Sequence, residues 1–309
     1  MINSKIVVKA PASSGNMGSG FDCLGMALDW FAEFEFTFGS GIETSDPSNH
    51  SSSAQVISSM ASEAARYGLS VMGESDTLLS VVYTGDMPVG SGLGTSAMAR
   101  SAGVIASAEA LGHKAEDDEL FAIALDLEGH ADNLYPAFYG GIQLAIPDSK
   151  SEELTHLSLQ YADDLDVVML IPEFSMPTDE SREIIPELVS ITDTVHNMSR
   201  VGLLVAAFYE KRYELLQEAF QDVLHQPVRS KLFPEMYLLL DAATTAGAYG
   251  SFLSGGGSTV AALSAPSESQ SVLAALRSCA TKNGLRFQDR ISKIGRRGAY
   301  VVDTKLENA

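Results

Sequence analysis

The sequence predicts an α+β chain of two lobes, on three observations. A chain of 309 residues, 45% of them hydrophobic, is long enough to bury one large core or two medium ones. Segments with helical and with strand periodicity follow one another in mixed order. Around residues 147–158 the pattern weakens into a polar connection, so the lobes are expected over residues 1–155 and 156–309.

Each element follows from local chemistry. Residues 6–9 are a β-branched run that Pro11 should end, and Phe34, Phe36 and Phe38 alternate with Glu33, Glu35 and Thr37 as in a half-exposed strand. Residues 39–53 carry the Gly, Ser, Asp, Pro and Asn of a loop, and an Ala-rich helix is expected over 54–67, ending at Gly68. A strand at 79–83 runs into a Gly-rich segment, 88–96. A helix over 97–111, closed by Gly112, comes next, followed by another over 116–128. In the second half, 167–171 is a continuous apolar strand. Helices are expected at 200–209, 211–220, 235–246 and 268–282, and strands at 251–253, 260–263 and 299–302. Internal repeats, heptads and low-complexity tracts are absent from the sequence, so its chemistry must reside in discrete motifs.

Composition narrows the function classes. The formal net charge of -20 opposes an extended nucleic-acid surface, which needs clustered Lys and Arg. A small anion remains possible, because backbone N–H groups at a helix start bind phosphate without lysine. Apolar runs fall short of the roughly 20 residues of a membrane-spanning helix, and the first ten residues lack the apolar core of a signal peptide. Cys23 and Cys279 stand far apart and match no metal or disulfide spacing, which fits a reducing, cytoplasmic setting.

The Gly-rich segment reads Pro88-Val89-Gly90-Ser91-Gly92-Leu93-Gly94-Thr95-Ser96. Glycines let the backbone approach a ligand closely, the helix start offers free N–H groups with partial positive charge, and a Thr or Ser hydroxyl can ligate Mg²⁺. The segment lacks the Gly-Lys-Ser/Thr of a Walker A loop and the spacing of a dinucleotide fingerprint. Taken alone, it also reads as a capped strand-to-helix turn.

Two further segments accompany it: Pro11-Ala12-Ser13-Ser14-Gly15-Asn16-Met17-Gly18-Ser19-Gly20-Phe21-Asp22 and Ser254-Gly255-Gly256-Gly257-Ser258-Thr259. In order and spacing, over nearly the whole chain, the three resemble the motifs of the galactokinase, homoserine kinase, mevalonate kinase and phosphomevalonate kinase (GHMP) superfamily. Glu128-Gly129-His130-Ala131-Asp132-Asn133, with Pro136 and Gly140-Gly141, resembles the homoserine kinases within it. The resemblance implies a ribosomal-protein-S5-like N-terminal lobe with a left-handed βαβ unit, a ferredoxin-like C-terminal lobe and an active site between them. It also implies transfer of the ATP γ-phosphoryl to the hydroxyl of L-homoserine with Mg²⁺, a step toward threonine, and a possible homodimer.

Carried over by motif position, Pro88, Gly90, Ser91, Gly92, Leu93, Gly94, Thr95 and Ser96 are expected on the nucleotide. Ser96 and Glu128 are expected on Mg²⁺, with Thr95 as a further hydroxyl and Asp126 as the alternative carboxylate. Asn16 and Asp22 are expected at the substrate's amino end, where a carboxylate suits an ammonium, and Arg182 and Arg229 at its carboxylate, where a guanidinium binds bidentately. Thr178 would add a hydroxyl contact. His130 reads equally as a substrate contact or a structural histidine. Asn133 stands where sugar and mevalonate kinases carry an aspartate; an amide accepts no proton, so positioning and electrostatics are expected to do the catalysis.

The chain departs from the family pattern at Gly15, Ser19, Gly256 and Ser258, where Ala or Pro is usual, a change expected to loosen the loops. It also has Ser52-Ser53-Ala54-Gln55-Val56 where relatives carry an adenine-side Asn-Leu-Val, so no adenine contact is assigned. The other readings are a kinase of the same superfamily for another metabolite, which the Asp22, Arg182 and Arg229 set disfavours for neutral sugars, and a catalytically silent, metabolite-binding regulator.

Overall fold

The computed structural model of the chain describes residues 4–39, 53–113, 117–147, 154–176 and 178–306. Two β-sheets frame it. β1 (Ser4–Gly15) and β2 (Leu24–Gly39) pair antiparallel, Ile6 opposite Phe36 and Val8 opposite Phe34. Phe34, Phe36 and Phe38 are buried while Glu33, Glu35 and Thr37 between them are partly exposed, the two-residue period of a strand with one face in the core. Pro11 does not end β1. The β1–β2 register instead shifts between Pro11 and Ser13, a bulge that tolerates a residue without an N–H.

β3 (Leu78–Thr84) pairs with β2, and α1 (Ser53–Val71) packs on α2 (Thr95–Leu111). α1 runs past Gly68, because that glycine serves close packing: a Cβ there would lie 2.3 Å from Ser107 Oγ of α2. α3 (Asp117–Glu128) and the short α4 (Leu134–Tyr139) lead to β4 (Ile142–Pro147) and β5 (Leu154–Leu159), which extend the first sheet from β2.

The second sheet starts with β6 (Asp166–Pro172), buried along its whole length as its unbroken apolar run requires. After it come α5 (Thr178–Glu183), α6 (Ile191–Glu210), α7 (Leu216–Ala219), α8 (Gln226–Arg229) and α9 (Met236–Thr245). β7 (Gly250–Leu253), β8 (Val260–Ser264), α10 (Ser269–Lys282) and β9 (Phe287–Lys293) complete the lobe. The strand order β7-β8-β6-β9, all antiparallel, is that of a split βαβ, ferredoxin-like sheet. α6 begins nine residues before the expected 200, at an N-cap where Ser190 Oγ accepts the Asp193 N–H at 3.0 Å.

β10 (Tyr300–Leu306) returns to the first sheet, pairing Tyr300 with Lys9 of β1. With β5 spanning residue 155 and paired to β4, the two sheets do not divide at a single cut after that residue. Non-local pairing of the chain ends decides sheet membership here. One apolar cluster joins Met26 and Phe34 of the first sheet to Phe208 and Phe252 of the second half, so the two halves share a core. No helix of the described residues is long and apolar enough to cross a membrane.

Candidate active site

The three glycine-rich segments meet. Ser254 Oγ donates to the Gly92 carbonyl at 2.6 Å and shares a 2.7 Å hydrogen bond with Ser14 Oγ, while the Gly255 N–H donates to the Gly15 carbonyl at 2.9 Å. A Cβ at Gly92 would come within 2.0 Å of the Ser254 carbonyl, and one at Gly94 within 1.9 Å of Ser13 Oγ. Both glycines also hold positive φ, so only glycine fits this junction. The junction walls a cavity of about 530 Å³ between the lobes.

The start of α2 opens on this cavity. Gly94 takes a left-handed conformation before it and no side chain caps its first N–H groups, which leaves them to an anion. Gly90, Ser91, Gly92, Gly94, Thr95 and Ser96 line the cavity. Pro88 does not; its carbonyl accepts the Ser91 and Thr95 hydroxyls at 3.1 Å each, closing the loop from behind. Leu93 touches the cavity but is buried in the core.

At one end Ser96 Oγ donates to Glu128 Oε2 at 2.8 Å, bringing together the last residue of α3 and the first turn of α2. Asp126 does not join them: it accepts the Tyr67 hydroxyl at 3.1 Å. Glu128 also pairs with Arg100, one turn along α2 from Ser96. His130 Nδ1 stands 3.9 Å from Glu128, and burial, then Arg182, holds its imidazole below the usual value. A carboxylate and a hydroxyl beside a helix start are hard oxygen donors suited to Mg²⁺ carried on phosphates, which needs few protein ligands.

At the other end Asp22 and Arg182 face each other in a bidentate pair, 2.6 and 3.0 Å, so two groups expected on opposite ends of a zwitterion engage one another. Asn16, at positive φ, accepts the Asp22 N–H at 2.9 Å and fixes the turn. Asn133 Oδ1 accepts from Ser13 Oγ at 3.1 Å, and its Nδ2 donates to Asp132 Oδ2 at 3.2 Å. Thr178 opens α5; its side chain lies outside the described residues, as does Ser52 of the adenine-side stretch.

Arg229 is buried under the cavity. Its Nε donates to the Ser181 carbonyl at 3.2 Å, and Nη1 to the Gly255 carbonyl at 3.1 Å and His225 Nδ1 at 2.9 Å, with the Phe21 ring 5.4 Å away. None of these bonds uses Nη2. Burial, and next Arg182, pulls the guanidinium down to about 10, so it stays charged at neutral pH.

Four site features escape the sequence reading. Arg100 was legible only as a basic residue four positions after Ser96, and His225 as one four positions before Arg229. Asp132 is a buried carboxylate in the cavity wall. The departures Ser19 and Ser258 do not loosen their loops: their hydroxyls donate to the carbonyls of Ala219 and Phe174 at 2.8 and 2.7 Å.

Known proteins share this architecture. The family model described as GHMP kinases N terminal domain matches residues 55–141, and that described as GHMP kinases C terminal matches residues 204–282. The homoserine kinase of Caldanaerobacter subterraneus subsp. tengcongensis is 34% identical, covering 98% of this chain and 97% of its own. That of Carboxydothermus hydrogenoformans is 36% identical over 84% of each chain. The crystal structure of homoserine kinase from Cytophaga hutchinsonii superposes with a TM-score of 0.85 at 28% identity, covering 96% of this chain and 97% of the other.

Proposed function

The chain belongs to the homoserine kinase family of the GHMP kinases, and on that premise we propose that it transfers the γ-phosphoryl of ATP to the side-chain hydroxyl of L-homoserine, giving O-phospho-L-homoserine for threonine synthesis. The observation that carries the reading is the convergence, on one cavity, of an uncapped helix start, a carboxylate with a hydroxyl, an amide and a buried guanidinium.

In this reading the N–H groups of Thr95 and Ser96 and the loop from Gly90 to Gly94 cradle the triphosphate. Glu128 and Ser96 would hold Mg²⁺, whose charge would offset that developing on the phosphate oxygens. Arg229 and Arg182 face the acceptor's carboxylate, Asn16 and Asp22 frame its amino end, and Thr178 adds a hydroxyl. Asn133, held by Ser13, orients the attacking hydroxyl. Asn133 is an amide and accepts no proton, and a loose, metaphosphate-like transition state needs no prior deprotonation: the hydroxyl proton can pass late, to an oxygen of the transferred phosphoryl group. The two cysteines are unpaired, which suits a cytoplasmic enzyme.

A coupled ADP-release assay with L-homoserine, L-serine, shikimate, mevalonate and galactose tests the proposal. Turnover confined to L-homoserine supports it. Turnover on another acceptor discards the arginine assignments, and nucleotide binding without turnover on any supports a silent regulator.

A further inference from the structure

The glycine-rich loop is held from outside the cavity as well as from within it. Between the end of β3 at Thr84 and the start of α2 at Thr95 the chain has neither helix nor strand, so contacts with other segments must fix its course. Two come from the stretch between β6 and α5: the Met176 N–H and the Ser175 hydroxyl both donate to the Gly90 carbonyl, at 2.9 and 3.1 Å. The second half of the chain thus grips the loop at its middle. A further contact grips it at its root.

Asp86 stands there. Its Oδ1 accepts the Trp30 indole N–H and its Oδ2 a hydrogen from Arg290 Nη2, both at 2.7 Å. The Arg290 guanidinium lies over the Trp30 ring, 3.8 Å from its centre. Trp30 belongs to β2 of the first sheet and Arg290 to β9 of the second, so both sheets converge on one carboxylate of the loop. Trp30, the only tryptophan of the chain, is 5% exposed, and an indole N–H that deep needs an acceptor. The stacked, planar guanidinium gives up little freedom in reaching the same carboxylate. From Asp86 the constraint runs along the backbone. Met87 is buried and its N–H donates to the Tyr83 hydroxyl at 3.1 Å, and the next carbonyl, that of Pro88, accepts the Ser91 and Thr95 hydroxyls that close the loop.

We propose that Asp86, Trp30 and Arg290 form a clamp by which the second sheet positions the glycine-rich loop for the nucleotide. None of the three lines the cavity, so they are positioning residues that act through the loop. The proposal rests on the reading of that loop as the triphosphate cradle. The clamp acts on one ligand only, because Asn16, Arg182 and Arg229, which face the acceptor, stand on other segments. Its strength is modest: the Arg290 and Asp86 side chains are 36% and 67% exposed, so water and salt screen the ion pair. The stack and the indole bond are what keep the carboxylate in one place.

The test is calorimetric titration of ADP, with Mg²⁺ present, into the unaltered protein, Arg290→Met, Asp86→Asn and the double variant. Asp86 is exposed and Asn keeps its shape, so that variant guards against loss of folding through Arg290. Each single variant is expected to raise the Kd of ADP about three- to tenfold, the scale of an exposed cation–π contact and ion pair. The double variant should be no weaker than the weaker single one, since both break the same unit. KM for the acceptor should stay within about twofold. Trp30 emission reports the stack directly, because no other tryptophan contributes, and Arg290→Met should change it. An unchanged Kd for ADP in the variants, an equal loss of ADP and acceptor, or Trp30 emission indifferent to Arg290→Met overturns the proposal. Failure of ADP to bind the unaltered protein overturns the nucleotide reading beneath it, and the clamp with it.

Discussion

Arg229 Nη1 donates to Nδ1 of His225 at 2.9 Å, and this bond fixes the histidine: Nδ1 must be the acceptor, so Nε2 carries the proton and donates to the Gly18 carbonyl at 2.7 Å. The ring, stacked on Phe21 at 5.3 Å, links the first glycine-rich segment to the buried guanidinium. Asp222 accepts the His225 and Gln226 N–H groups at 2.9 and 2.7 Å and anchors the start of α8 beneath both.

His225→Gln should therefore unseat Arg229 without removing it. KM for L-homoserine is expected to rise about tenfold with kcat within about twofold, the cost of one hydrogen bond to a charged group. Steady-state kinetics check this, and a fall in kcat with KM unchanged would contradict it.

The same residue predicts a pH effect. Burial lowers the His225 imidazole to about 4, against 6.5 for an ordinary histidine. The unfolded chain then takes up a proton that the folded chain refuses, so the contribution of His225 to stability is complete above pH 6.5 and is lost as pH falls toward 4. Asp132, raised to about 7, acts in the opposite direction over this window, so the difference between unaltered protein and His225→Gln isolates the histidine. In denaturant titrations that difference should shrink from pH 7 to pH 4.5.

Gly15→Ala places a Cβ 2.0 Å from Asp132 Oδ2 and 2.4 Å from Asn133 Nδ2. Both side chains must move, and KM for L-homoserine is expected to rise at least about tenfold, ~1.4 kcal/mol, with a smaller fall in kcat. A kinetically silent Gly15→Ala would show that neither side chain's position matters.

Asn133→Ala removes the amide that Ser13 and Asp132 hold. If its part is to orient the hydroxyl, kcat should drop about a hundredfold with little change in nucleotide binding. An unchanged kcat would remove Asn133 from the mechanism.

Glu128→Gln keeps the shape of the Ser96 contact and removes the charge. The Mg²⁺ concentration for half-maximal rate is expected to rise about 10- to 100-fold, the scale of weakened metal support. Activity measured against Mg²⁺ concentration decides it, and an unaltered dependence would place the metal elsewhere.

What the sequence disclosed was what local chemistry encodes. Glycines at positive φ, helix-start hydroxyls and the alternation of Phe34, Phe36 and Phe38 leave their mark within a few residues. β10 pairing Tyr300 with Lys9 leaves none, because the partner is nearly the whole chain away. Asp132 was in view within its motif, yet its burial in the cavity wall is a property of the three-dimensional fold. The Asp22–Arg182 pair is hidden in the same way, since spacing shows a carboxylate and a guanidinium but not that they meet. The sequence reading began α6 at residue 200 rather than at its Ser190 cap, because the exposed Ile191, Val195 and Met198 obscure the amphipathic pattern on which a helix assignment relies.

Phosphorus NMR of the protein incubated with Mg-ATP and L-homoserine tests the central claim most directly. A phosphomonoester resonance split by an adjacent methylene group, growing as ADP appears and absent when L-serine replaces L-homoserine, is the predicted result. ADP accompanied by inorganic phosphate alone, or no consumption of ATP, would contradict transfer to the homoserine hydroxyl.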